Sequence, residues 1–268
     1  MISVFVAGDS HYASVASALG ERGCDRVRPD PSGIHVHVFN AWKHSLAYQF
    51  SVAQDGRWVL NPQLKSEIDQ LSEGSSARVM LSMFGGNHHH ALTLIAHDEP
   101  FDCVLPDHPH LPLSQGARVL TVGYLEAILM TYLPGPFREI QNFLDAFPDA
   151  NCFHAEAPPV IGDDEFVRGH LDRWFIDRAG KGSELQLTPP VVRKKIWYIN
   201  RQLYSRKASE AGFTLLNAPE NSLTEEYFLR SEYYGHDATH ANSTYGELIL
   251  RQLESRLGET IRGWSYFG

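Results

Sequence analysis

The sequence has little cysteine, little basic charge and no long apolar run. Only 3 cysteines occur among 268 residues, and their odd number and scattered positions are typical of a reducing compartment. The 23 basic residues are outnumbered by 32 acidic ones, giving a formal net charge of −9. This balance argues against duplex nucleic acid or an anionic membrane as the main partner. No run of 18 apolar residues is present, so the sequence predicts no membrane-spanning helix. The cysteines are Cys24, Cys103 and Cys152.

The N-terminal segment Met1–Ala7 is apolar but short, and it lacks the basic stretch of a signal peptide. It turns polar at Gly8-Asp9-Ser10, which indicates a first β-strand. We therefore expect a cytoplasmic location, although a mature chain whose leader had been removed would begin in the same way.

Apolar β-like runs alternate with amphipathic helical patterns, which favours a mainly parallel sheet covered by helices. The expected fold class is α/β, as one domain over residues 1–268: a three-layer α/β/α sandwich with a flavodoxin-like sheet. The predicted strands are Ile2–Ala7, Ile34–Phe39, Arg78–Phe84, Cys152–Ala157 and Phe213–Leu216, and the predicted helices are Pro62–Glu73, Val192–Ala211 and Ser243–Leu257.

One region, about 97–148, departs from this alternation and predicts a helical insertion. It begins as a proline-rich loop and continues as a helical pattern over Ala117–Leu133. Pro134-Gly135-Pro136 predicts a turn, after which Phe137–Phe147 forms a second helix. The insertion is interpreted either as extra packing on the core or as a lid that shapes the substrate site.

Two polar clusters follow predicted strands, where parallel sheets place functional residues. Ser10, in Gly8–His11, has a hydroxyl on a strand-to-helix turn, although Asp9 or Ser10 also suits a helix N-cap. Asn87, in Gly85–His90, offers an amide N–H₂ donor of the kind that an oxyanion needs. The simpler interpretation of the second cluster is a glycine turn whose asparagine adopts a left-handed conformation.

A third cluster, Gly235–Asn242, precedes the last predicted helix and contains Asp-x-x-His. Asp237 can hydrogen-bond Nδ1–H of His240 and leave Nε2 free as a base. This spacing alone is a weak signal in a chain with 14 histidines.

Together the clusters resemble the SGNH (GDSL-type) hydrolases. Members of that family carry Gly-Asp-Ser after the first strand, Gly-x-Asn after a middle strand and Asp-x-x-His before the last helix. The matching segments are Val4–Ser10, Ser82–Asn87 and Asp237–Asn242. The resemblance covers roughly 1–86 and 152–257 in outline, and only these three blocks are specific.

The resemblance implies that Ser10 is the nucleophile, His240 its general base and Asp237 the residue that orients His240. The backbone N–H of Ser10 and the side chain of Asn87 would bind the oxyanion. The family's third donor comes from a glycine in the loop after the second strand. No such glycine is evident here, and Ser45 or a neighbour is the candidate. Trp42, His11, which replaces the usual leucine, and His88 are expected to contact substrate.

The resulting expectation is a serine esterase that needs no metal or cofactor and hydrolyses a short acyl ester such as a sugar O-acetyl group. Acyl transfer to another alcohol stays open, as does the oligomeric state. The sugar preference rests on the substrates that are typical of the family, and no particular residue of the sequence indicates it.

Two other classes fit some of these residues. A calcineurin-like metallophosphoesterase is imitated by Asp9–His11, Gly86–His88 and Gly235-His236, but that family's Gly-Asp-x-x-Asp block is absent. A non-catalytic module that binds carbohydrate or a partner on the same fold is the second alternative. A further alternative is zinc bound through His35 and His37 with Asp107, His108 and His110. His35 and His37 share one face of an alternating strand, where they are expected to line a cleft or face solvent.

Overall fold

The computed structural model describes residues 1–23, 32–41, 49–178 and 185–267. The strands in these ranges are β1 Ile2–Gly8, β2 Ile34–Asn40, β3 Ser51–Gln54, β4 Arg57–Leu60, β5 Ala77–Met83, β6 Phe101–Asp102, β7 Arg118–Val119, β8 Asn151–Ala155, β9 Thr214–Leu216 and β10 Ile261–Phe267. The helices are α1 Tyr12–Glu21, α2 Pro62–Leu71, α3 His88–Thr93, α4 Val122–Leu129, α5 Pro134–Ala146, α6 Asp164–Gly169, α7 Arg173–Arg178, α8 Pro190–Ala211 and α9 Ser243–Leu257.

Six strands form one parallel sheet in the order β10-β2-β1-β5-β8-β9. The order β2-β1-β5-β8-β9 is that of a flavodoxin-like sheet, and β10 extends it beside β2. The predicted α/β fold class is confirmed. Gly8, at the end of β1, lies opposite Asn40 of β2 and Met83 of β5. The carboxyl ends of these strands therefore meet at one edge, where such sheets bind ligands.

Alternate side chains of β1 enter two hydrophobic clusters, because successive residues of a strand face opposite sides of the sheet. Val4 and Val6 pack in the cluster that contains residues of α1 and α9. Phe5 and Ala7 pack in the cluster that contains residues of α2, α5 and α8. The sheet thus lies between two helical layers.

Helix ends follow the chemistry of the flanking residues. The side chain of Asn61 accepts a hydrogen bond from the backbone N–H of Gln63 (2.9 Å) at the start of α2. Gly212 (φ 80°) and Gly258 (φ 68°) end α8 and α9 in the left-handed conformation that glycine adopts without strain. Across the described ranges, no helix combines the length and apolarity required to cross a membrane.

The predicted break at Pro134-Gly135-Pro136 is wrong in its position. These residues begin α5, and the chain turns earlier, at residues 130–133. Proline suits the first turn of a helix, because its fixed φ is helical and its missing N–H has no intrahelical partner there. The predicted helix 117–133 shortens to α4, whose Leu125 and Leu129 are fully buried in the core cluster.

A buried ion pair fastens the segment between α3 and α4 to α8. Nζ of Lys195 lies 2.8 Å from Oδ1 of Asp102 and 2.9 Å from the carbonyl oxygen of Pro112. Asp102 also accepts the backbone N–H groups of Cys103 (2.6 Å) and Ser114 (2.7 Å). Both charged side chains are 0% exposed, so each charge needs the other to offset the free-energy cost of its burial.

Replacing Lys195 with methionine should lower the free energy of unfolding by about 3–5 kcal/mol, because it leaves the carboxylate of Asp102 buried without its cation. Lys65→Met is the matched control, since the Lys65–Asp69 pair is more than 40% exposed on both sides and should contribute about 0.5 kcal/mol. Urea unfolding of both variants measures the difference. Equal losses in the two variants would show that the buried pair contributes no more to the free energy of unfolding than the exposed pair does.

Candidate active site

The three polar clusters converge at the carboxyl edge of the sheet. Ser10 follows β1 by two residues, and Asn87 follows β5, the neighbour of β1, by four. His240 lies in the loop before α9, a helix that packs against α1. Each cluster therefore reaches the site from a different element.

A continuous hydrogen-bonded chain joins Ser10, His240 and Asp237. Oγ of Ser10 lies 2.7 Å from Nε2 of His240, and Nδ1 of His240 lies 2.7 Å from Oδ2 of Asp237. Both distances are those of good hydrogen bonds. Oγ is thus placed to donate its proton to an imidazole that a carboxylate holds from the other side.

Asp237 is held as a carboxylate by several donors. Its Oδ1 accepts the backbone N–H groups of Thr239 (2.8 Å) and His240 (2.9 Å), and the hydroxyl of Thr239 (3.1 Å). Burial alone would raise the pKa of Asp237. The hydrogen bond and charge of His240, with the two backbone donors, outweigh burial and hold the pKa below its usual value. Asp237 therefore remains the acceptor for Nδ1–H of His240.

Asn87 points into the site instead of capping a helix. It occupies the N-cap position of α3, but its side chain makes no capping hydrogen bond. Its Nδ2 lies 3.4 Å from Nε2 of His240, the same atom that faces Oγ of Ser10. The simpler interpretation, a glycine turn with a left-handed asparagine, is wrong for Asn87, because the left-handed residue is Gly85 (φ 78°) and Asn87 has a φ of −102°. It does not account for the direction of the amide.

Asp9 joins the loop of Ser10 to the loop of Asn87. Its Oδ2 accepts the backbone N–H of Gly85 (2.9 Å), and burial raises its pKa. The sequence suggests a helix cap or a metallophosphoesterase motif for Asp9, and it assigns no role to Thr239. Asp9 at least belongs to the Gly-Asp-Ser motif, whereas nothing in the sequence indicates that the Thr239 hydroxyl contacts Asp237.

His11 is buried beside the hydrogen-bonded chain. Its Nε2 lies 2.9 Å from Oδ1 of Asn87, and its ring centroid lies 4.5 Å from that of His240. Burial, followed by the neighbouring His240, lowers the pKa of His11 to about 3, so the ring is neutral near pH 7. The side chain of His11 is 5% exposed and is bonded within the protein, so little of its surface is available to a substrate.

Of the other residues expected at the site, the structure describes His88 but not Trp42 or Ser45. His88 is half-buried and its ring stacks on Tyr132 with centroids 5.9 Å apart. Trp42 and Ser45 lie outside the described residues, so the third oxyanion donor stays a prediction. Ala41, just before that stretch, donates its N–H to the carbonyl oxygen of Gly8 (3.1 Å). The described end of this segment therefore lies beside the end of β1, two residues before Ser10.

The residues that imitate a metallophosphoesterase are engaged in other contacts. Asp9 accepts the Gly85 N–H, and Nε2 of His11 is bonded to Asn87. In the described ranges, no group of three or more His, Cys, Asp or Glu residues has a geometry that would hold a metal ion. Hard divalent ions prefer oxygen ligands and bridging carboxylates. The carboxylates beside Ser10 already accept hydrogen bonds, Asp9 from Gly85 and Asp237 from Thr239 and His240, so neither is placed to bridge two ions.

The suggested zinc ligands likewise have other surroundings. His35 and His37 are buried on β2, and Nδ1 of His37 lies 2.8 Å from Oγ of Ser265 on β10. The ring of His108 stacks on Tyr198 with centroids 4.3 Å apart. The burial of His35 and His37 contradicts the expectation that they line a cleft or face solvent.

The sequence matches no protein family model and no curated protein. Similar solved structures include the periplasmic domain of a lipopolysaccharide acetyltransferase from Salmonella ser. Paratyphi A (13% identity, 96% of this chain and 84% of that chain, TM-score 0.45). A GDSL-like lipase from Bacteroides thetaiotaomicron is similar at 9% identity (96% and 87%, TM-score 0.39). Est24, a carbohydrate acetylesterase from Sinorhizobium meliloti, is similar at 13% identity (96% and 99%, TM-score 0.38). At these values the similarity is one of outline and assigns no role to individual residues.

Proposed function

We propose that the protein is a serine esterase of the SGNH type that hydrolyses a short acyl ester. The observation that carries the proposal is the chain from Ser10 Oγ to His240 and Asp237, with the Asn87 amide directed at the same point. A nucleophile, a base, a group that orients the base and an oxyanion donor are the four parts that acyl transfer through serine requires.

The reaction begins when His240 Nε2 takes the Ser10 proton as Oγ attacks the ester carbonyl carbon. Negative charge forms on the carbonyl oxygen, which Asn87 Nδ2 and the backbone N–H of Ser10 stabilise. His240 then gives its proton to the departing alcohol, and the acyl group remains on Ser10. In the second half, His240 deprotonates a water, which attacks the acyl carbon. The bond from the acyl carbon to Ser10 Oγ then breaks, His240 returns the proton to Oγ, and the acid is released.

An alcohol in place of that water would give acyl transfer. The preferred substrate is an acetyl ester, such as an O-acetylated sugar. The proposed enzyme acts in the cytoplasm and needs no metal ion. Rates on chromogenic acetate, butyrate and octanoate esters measure the acyl preference, which we expect to fall with chain length.

Hydrolysis of a chromogenic acetate with and without EDTA separates the proposed enzyme from the metallophosphoesterase alternative. The serine mechanism predicts the same rate in both, because every step uses side chains and water. A rate that disappears with EDTA and returns with added divalent ion would contradict it. A protein that hydrolyses no ester and instead binds acetylated sugar unchanged would favour the binding module.

Replacing Asn87 with alanine should lower kcat by roughly 10²–10³-fold, because one oxyanion donor is lost. KM should change much less, since the neutral carbonyl oxygen of bound substrate needs that donor less than the oxyanion does. Steady-state kinetics on the chromogenic acetate measure both constants. Asn151→Ala is a matched control, because Asn151 is exposed at the start of β8, far from the carboxyl edge. If Asn87→Ala had the same kcat as the control, Asn87 would not be an oxyanion donor.

A further inference from the structure

The amide of Asn87 is hydrogen-bonded by a side chain from another loop. Nε2 of His11 lies 2.9 Å from Oδ1 of Asn87. Because an amide oxygen can only accept a hydrogen bond, Nε2 must carry the proton. The remaining nitrogen, Nδ1, is buried without a hydrogen-bond partner, so a second proton there would cost its full desolvation. The ring is therefore a neutral Nε2–H tautomer.

The hydrogen bonds of the site form one directed series. Asp237 accepts from Nδ1–H of His240, which leaves Nε2 of His240 as a lone pair facing the Ser10 hydroxyl. The Asn87 group nearest that lone pair is the N–H₂ donor, at 3.4 Å. Its oxygen consequently faces His11. A rotated amide would place an oxygen against the lone pair of His240 and its N–H₂ group against the donor of His11.

The backbone makes room for the His11 ring. A Cβ atom on Gly86 would lie 2.1 Å from Cδ2 and 2.5 Å from Nε2 of His11, distances at which a side chain cannot be accommodated. The absence of a side chain at Gly86 thus lets the imidazole reach the neighbouring Asn87. At the other end, the backbone oxygen of His11 accepts the hydroxyl of Ser14 (2.9 Å).

We propose that His11 is a positioning residue for the oxyanion donor: it fixes the Asn87 amide with Nδ2 toward the reacting oxygen and Oδ1 away from it. This inference rests on the serine-esterase function proposed above. Without the His11 donor, the amide is free to turn its oxygen toward the developing negative charge. His11 acts through Asn87 and does not touch substrate.

The test is a double-mutant cycle on kcat and KM for the chromogenic acetate. His11→Met removes the donor at similar volume, whereas the amide of His11→Gln can still donate to Asn87. We expect His11→Met to lower kcat by roughly 10–100-fold, less than the loss of the Asn87 donor itself, with little change in KM. His11→Gln should recover most of that loss. In the Asn87→Ala background, His11→Met should have no further effect on kcat.

A merely structural role gives a different pattern. It would lower kcat by the same factor with and without Asn87, or leave His11→Gln as inactive as His11→Met, and either result would overturn the inference. His11→Leu is a second variant without a donor if His11→Met lowers the Tm. Ser10→Ala separates the two proposals: if it is inactive while His11→Met equals the wild type, only the role of His11 fails. If Ser10→Ala is fully active, the proposed function fails as well.

Discussion

Ser10→Ala should lower kcat on a chromogenic acetate by roughly 10⁴–10⁶-fold. The substitution removes one oxygen, the atom that lies 2.7 Å from the base and forms the bond to the acyl carbon. The half-buried position of Ser10 accepts the smaller alanine, so the fold and its Tm should be retained. Steady-state kinetics and thermal unfolding measure the two quantities separately.

Ser209→Ala is the matched control for this loss. Ser209 is exposed on α8, and its hydroxyl bonds only locally, to the carbonyl oxygen of Ser205 (3.2 Å). Its kcat should equal that of the wild type. If Ser10→Ala were as active as Ser209→Ala, hydrolysis would not pass through Ser10 and the serine mechanism would be wrong.

Asp237→Asn should lower kcat by roughly 10³–10⁴-fold with the fold intact. The asparagine oxygen can keep the backbone N–H groups of Thr239 and His240 that now bond Oδ1. Its N–H₂ group replaces Oδ2, however, and donates to Nδ1 of His240. The imidazole must then carry its proton on Nε2, where it can no longer accept the Ser10 proton.

An exposed aspartate is the control for the change from carboxylate to amide. Asp145 lies exposed near the end of α5, bonded to Gln141 (2.8 Å), and Asp145→Asn should leave kcat unchanged. Kinetics of both variants, with Tm values, make the comparison. A kcat for Asp237→Asn within twofold of the wild type would show that the orientation of His240 does not depend on the carboxylate.

The central strands were predictable because each is an apolar run that ends in polar residues. Ile2–Gly8 and Ile34–Asn40 are nearly continuous apolar or buried segments, as expected for strands covered on both faces. The edge strand β10 was not predicted. Its register shifts between Ile261 and Gly263, and this irregularity interrupts the alternation by which a strand is recognised.

The hairpin of β3 and β4 and the buried ion pair were not predicted either. β3 and β4 are only four residues each, too short for a clear pattern. The two residues between them, Asp55 (φ 51°) and Gly56 (φ 76°), form the Asp-Gly turn that typifies a β-hairpin. The buried Lys195–Asp102 pair joins residues 93 positions apart, and nothing local in the sequence indicates it.

The candidate site was likewise predictable only in part. Short motifs indicate Ser10, Asn87 and His240 as candidates, because backbone turns and spacing constrain residues near one another in sequence. The distances between them could not be predicted, since 230 residues separate Ser10 from His240. The contact of His11 with Asn87 likewise depends on the missing side chain at Gly86, a relation between two loops that becomes visible only after folding.

Labelling with an alkyl fluorophosphonate tests the central claim most directly. Ser10 Oγ should attack phosphorus, fluoride should leave, and His240 should take the proton. Intact mass and peptide mapping should find one adduct, on the peptide that contains Ser10, formed far more slowly in His240→Ala. An adduct on another residue, or none under conditions in which the acetate ester is hydrolysed, would contradict a nucleophilic Ser10.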